Sequence, residues 1–223
     1  MGKIILIPLP KRTPENKPDT GVNRLIPISK TEADESPSVS VSEFLLERAE
    51  KEECNLYGII DSARNEDVFR HLITGNVQYR SLFQGTMDEQ SYGVSGFLVE
   101  CQKESLLFQW MTKEAWGDSC CIFFTSKLSF DELFSHFQKF NRVYLEDDEV
   151  VLFRYYDPRV LRVYLPTCNR NEIEVFFGEV IGYYAENENG NAINVYQKNN
   201  NVTGPDILLV SKYKILKPDA DNT

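Results

Sequence analysis

From about residue 56 onward, apolar positions fall into two alternating rhythms. Short apolar runs at Leu56–Ile60, Phe97–Cys101 and Cys121–Thr125 have the length and the aromatic or β-branched content of strands. Between them, apolar residues return at helical spacing: Val68, Phe69, Leu72 and Ile73, then Leu106, Leu107, Trp110 and Met111, then Phe130, Leu133, Phe134 and Phe137. Gly75 and Gly117 stop the first two helices. Ser129, with Glu132 three residues later, opens the third as a capping box. Val143–Leu145 and Val150–Tyr156 read as a hairpin around the acidic turn Glu146–Glu149. Asp157 then caps a helix with Pro158 at its first position, where the missing N–H does no harm. Asn169 and Glu172 cap another, which ends at Gly178. This alternation predicts a mixed α/β (α+β) fold with a central sheet and covering helices.

The rhythm changes near residue 179. Val180–Asn187 and Ala192–Lys198 flank Asn189-Gly190, a strong short hairpin signal. A two-residue turn there sets Tyr183 opposite Tyr196 and Tyr184 opposite Val195. Ile207–Leu216 supplies a third strand, so an antiparallel meander is predicted, either extending the main sheet or forming a small second lobe. Upstream, six of the ten prolines fall within the first 40 residues, which read as an extended arm with apolar stretches at Ile4–Leu9 and Leu25–Ile28. Ser40 and Glu43 form a capping box before a charged helix from about 41 to 53. The chain therefore divides into an arm (1–40), an α/β domain (41–178) and C-terminal antiparallel strands (179–223).

Composition narrows the partners. Apolar residues make up 42% of the chain, a globular value, and the net charge is -10 with no basic stripe, which disfavours nucleic acid and anionic membranes. Cys54, Cys101, Cys120, Cys121 and Cys168 show no CxxC spacing and only two histidines stand beside them. Reduced thiols, no metal and no cofactor are expected. No apolar run approaches the roughly 20 residues of a membrane span, and a cytoplasmic location is expected.

Candidate chemistry is sparse. The chain lacks a glycine-rich phosphate loop, a G-x-S-x-G elbow and an HExxH helix. His136 with Asp157 and a cysteine or serine is the one conceivable nucleophile relay. His136 lies at the edge of its helical stripe, where a boundary histidine making one hydrogen bond is the ordinary explanation, and His71 is read the same way. Asp61 and Arg64 straddle a strand-to-helix junction and read as a cap with an ion pair rather than as a cleft carboxylate. Trp116, beside Gly117, reads as a packing wedge. Arg154, inside an apolar strand, requires a partner, for which Asp157, Glu172 or a backbone carbonyl is available.

The string Phe153-Arg154-Tyr155-Tyr156-Asp157-Pro158-Arg159 resembles a signature of the bacterial family catalogued as domain of unknown function 4123, the type VI secretion effector chaperones or adaptors. Upstream pieces agree in order: Tyr57-Gly58-Ile59-Ile60-Asp61-Ser62-Ala63-Arg64, Ser81-Leu82-Phe83-Gln84-Gly85, Trp116-Gly117, and His136-Phe137 with Phe140. Gly96-Phe97-Leu98-Val99 departs from the Pro-Tyr-Leu-Val usual in that family. The resemblance covers residues 55 to 178 and implies a non-enzymatic protein that binds an effector toxin and helps load it onto the VgrG spike or its PAAR tip. It assigns Asp61, Arg64, Trp116, His136, Arg154, Asp157, Pro158 and Arg159 to structural motif positions. A partner surface is expected on the tail hairpin, at Tyr183, Tyr184, Tyr196 and Tyr213, unless the strands bury both faces. The alternative function is that of an immunity protein blocking a cognate toxin.

Overall fold

The computed structural model describes residues 39–83, 96–144, 150–199 and 208–216. Its strands are β1 (Asn55–Asp61), β2 (Tyr79–Ser81), β3 (Gly96–Glu100), β4 (Cys121–Ser126), β5 (Arg142–Tyr144), β6 (Val150–Leu152), β7 (Val180–Glu186), β8 (Ala192–Lys198) and β9 (Leu208–Lys214). Its helices are α1 (Val41–Lys51), α2 (Val68–Thr74), α3 (Leu106–Lys113), α4 (Phe130–Phe137), α5 (Pro158–Tyr164) and α6 (Arg170–Phe177). Seven strands form one antiparallel sheet in the order β2-β3-β1-β4-β7-β8-β9, while β5 and β6 pair separately. The fold is mixed α+β, and the tail meander extends the main sheet.

Alternation along each strand divides the core in two. Leu56, Ile60, Phe123, Tyr184 and Ile193 face one side, where α1, α2 and α3 bring Phe44, Leu45, Leu72, Trp110 and Met111. Tyr57, Ile59, Phe124, Tyr183 and Tyr196 face the other, where α4, α5 and α6 bring Leu133, Phe137, Leu161, Phe176 and Phe177. Helices on both faces explain why β1 and β4 read as continuous apolar runs rather than as alternating ones. Burial of each such side chain contributes about 1.5–3 kcal/mol.

Local signals set the helix ends. Capping boxes close at Ser40–Glu43, Ser129–Glu132 and Asn169–Glu172. Asp157 accepts a hydrogen bond from the Arg159 amide, with Pro158 in the first turn. Gly178, at φ 50° and ψ -118°, ends α6 in a conformation open to glycine alone, and a Cβ there would stand 2.9 Å from the His136 ring.

The tail register is the one expected, with Tyr183 opposite Tyr196 and Tyr184 opposite Val195. Its turn is wider than two residues, because the Asn187 side chain accepts from the Asn191 and Ala192 amides and holds a loop around Asn189-Gly190. The expected exposed aromatic face is corrected. Tyr183, Tyr184 and Tyr196 are all buried, because helices cover both faces of the meander. Tyr183 donates to the Phe176 carbonyl (3.0 Å), and the Tyr184 hydroxyl bonds Glu52 (3.2 Å). Tyr213 is half-buried, its ring 5.0 Å from that of Phe44 and covered by the Arg48 guanidinium. The arm's apolar stretches and the Glu146–Glu149 turn lie outside the described residues.

Candidate functional site: a braced strand-to-helix corner

Strand β6 stops at Leu152, short of the predicted end at Tyr156. The Phe153 amide donates to the Asn141 carbonyl (2.9 Å), and the Asp157 amide donates back to the Arg154 carbonyl (3.0 Å), closing a turn over Tyr155-Tyr156. Both tyrosines are buried, and Tyr155 donates to the Phe137 carbonyl (3.1 Å). The Tyr156 ring lies so close to Gly96 that a Cβ at that glycine would fall 2.7 Å away. A side chain there would displace the ring, which gives the departure at Gly96 a physical reason in this chain.

Arg154 therefore sits in a turn, not inside a strand, and its partner is none of the three expected. Its Nε donates to Asp61 Oδ2 (3.0 Å), and its terminal nitrogen bonds the same oxygen. Asp61 ends β1 fully buried, and its other oxygen accepts from the Ala63 amide (3.0 Å). Burial raises the Asp61 carboxyl above its usual range, and the Arg154 guanidinium only partly opposes this. Arg64 pairs elsewhere, donating to the Asp118 carbonyl (3.2 Å), so the expected ion pair at this junction runs through Arg154. Asp157 binds Arg159 through both oxygens (2.6–3.2 Å). Burial pushes the Asp157 carboxyl up, but the Arg159 bonds outweigh it and hold it below its ordinary value.

His136 stands apart from this corner. Its Nε2 contacts the Phe176 carbonyl (3.0 Å), its ring packs on Phe137 and Phe140, and burial lowers its pKa. Among the described residues no hydrogen bond joins His136 to Asp157. His71 stacks on Trp110 at 4.2 Å between ring centroids. The Cys54 thiol is pushed up to about 11 by burial, and burial likewise raises Cys101. Such thiols stay protonated at neutral pH and are poor nucleophiles. Among the described residues no cluster of His, Cys, Asp or Glu could hold a metal ion, and no helix is long and apolar enough to cross a membrane.

A second polar node went unseen in the sequence. Glu186, buried near the end of β7, accepts from the Gly117 amide (2.6 Å), the Ser119 amide (2.9 Å) and the Ser119 hydroxyl (2.8 Å). Beside it, Trp116 Nε1 donates to the Gly190 carbonyl (2.9 Å), so the Trp-Gly pair clamps the tip of the tail hairpin. A buried carboxylate needs such donors, but nothing local in the sequence pairs residue 186 with a loop near 118.

A family model described as "Domain of unknown function (DUF4123)" matches residues 56–174. The chain belongs to this family. The match runs from β1 into α6 and takes in the Asp61–Arg154 pair, the Asp157–Arg159 pair and Trp116, whose partner Gly190 lies beyond it. Strands β7, β8 and β9 follow it and continue the same sheet. No curated protein and no solved structure gave a match to the chain.

Proposed function

We propose that this chain is a non-catalytic cytoplasmic adaptor that binds a type VI secretion effector toxin and helps load it onto a VgrG or PAAR spike component. The observation that carries this reading is the occupation of the family's polar motif by its own partners. Asp61 is held by Arg154 and Ala63, Asp157 by Arg159, His136 by a backbone carbonyl and Trp116 by the hairpin tip. Groups engaged in this way support a scaffold whose work is done by contact surfaces. The family resemblance of the Phe153–Arg159 string supplies the kind of partner.

A toxin-blocking immunity protein is the competing reading, and it predicts a different complex. An adaptor leaves the toxin's catalytic domain free, so the purified complex retains toxin activity. An immunity protein abolishes that activity in proportion to its occupancy. Assaying the toxin with and without a saturating amount of this chain separates the two. Full inhibition sinks the adaptor reading.

A further inference from the structure

Strand β9 is the last strand of the seven-stranded sheet. The Ile215 amide donates to the Asn191 carbonyl of the β8 hairpin, so residue 215 points its backbone inward. Backbone groups alternate sides along a strand. Leu209, Ser211 and Tyr213 therefore also point toward β8, while Leu208, Val210, Lys212 and Lys214 point outward. The Leu216 amide, on the outward parity, donates to the Val39 carbonyl (3.2 Å), as this assignment requires. Among the described residues, that parallel bridge of Val39 with Ile215 is the one strand-type pairing on this edge.

The chain thus already uses this edge for strand pairing at one end. Among the described residues, no strand pairs with the outward groups from Leu208 to Lys212. Exposed Leu209 on one side, and exposed Lys212 and Lys214 on the other, flank these groups. Edge lysines discourage indiscriminate pairing, and they become a selector when the incoming strand carries carboxylates. A second copy of this chain is a poor occupant, because each copy carries a net charge of -10.

We infer that the outer edge of β9 is a docking site for an extended peptide segment of a partner protein, apolar at alternate positions and acidic between them, added as an eighth strand. The inference rests on the sheet geometry and not on the adaptor reading, so either can fail without the other.

The test is a random peptide library displayed on phage and selected against the full chain. Enriched peptides should alternate apolar residues with Asp or Glu, and binding should protect the Val210 and Lys212 amides from hydrogen exchange. Val210→Pro removes an outward N–H without touching the β8 ladder, so it should melt close to Val210→Ala, which loses the same partly buried side chain, and should weaken binding about ten-fold or more relative to that variant. Ser211→Pro, whose N–H points inward, should instead lower the melting temperature. The double variant Lys212→Glu/Lys214→Glu keeps the backbone and should shift selection toward Lys- or Arg-bearing peptides. The inference is overturned if no peptides are enriched, if Val210→Pro binds them as well as Val210→Ala does, or if charge reversal leaves the selected sequences unchanged.

Discussion

Removing Arg154 is the sharpest perturbation of the corner. Asp61 is wholly buried, whereas 32% of the Arg154 side chain remains exposed, so the two partners are not equivalent. Arg154→Ala strands a carboxylate that keeps a single donor, the Ala63 amide. Breaking a buried pair in this way costs about 3–5 kcal/mol, and the partial exposure of the arginine places this case near 3. For a chain of this size that lowers the melting temperature by roughly 6–12 °C. Asp61→Asn leaves an arginine that reaches water, and its cost is smaller, about 1–2 kcal/mol. The double variant should cost less than the two singles together, with a coupling of about 1 kcal/mol or more. The pH dependence has a definite sign. Asp61 already titrates above its ordinary 3.8 because burial disfavours its charge, and losing Arg154 raises it further. A raised folded-state pKa adds stability that is present below the unfolded value and lost as pH rises through the folded one. The deficit of Arg154→Ala should therefore shrink as pH falls from neutrality toward 3.8. Urea denaturation of the four proteins at several pH values measures all of this. A single-variant cost under about 1 kcal/mol, as for an exposed pair, with no coupling and no pH recovery, would refute the argument.

Other expectations follow from the same geometry. Gly178→Ala should destabilise by about 2 kcal/mol or more, since the residue sits at φ 50° and its Cβ would meet His136; thermal melting checks this. Glu186→Gln should cost about 1–3 kcal/mol by mismatching the Gly117 and Ser119 donors, measured by urea denaturation. Because burial raises Glu186 above its ordinary 4.5, it contributes stability below that value that fades as pH rises; the variant's melting temperature should vary less across the window just above 4.5. Ser129→Ala should cost about 1 kcal/mol through the lost cap, readable as the same loss at all neutral salt concentrations.

What the sequence disclosed is what is local in it. Ser40–Glu43, Ser129–Glu132, Asn169–Glu172 and Asp157-Pro158 each act within one helical turn, and all four appear as expected. The Tyr183–Tyr196 register follows from a nearby turn and period-two alternation, and it holds although the loop is wider. Arg154's partner was out of reach because Asp61 lies 93 positions away, and no spacing rule links a strand end to a distant turn. Glu186 and the Ser119 loop are 67 positions apart and hidden for the same reason. The tail tyrosines show a further limit. Alternation says that two faces exist, but whether both are covered depends on where α1 and α6 pack, which is a tertiary matter.

The proposed role is to hold other proteins and not to perform chemistry. The direct measurement is affinity purification of the tagged full-length chain from a bacterium whose type VI system is firing, with the co-purifying proteins identified by mass spectrometry. An adaptor should bring down a toxin together with a VgrG or PAAR component, retained when His136 and Asp157 are both replaced by alanine in any fraction that still folds. Recovery of neither component would contradict that role.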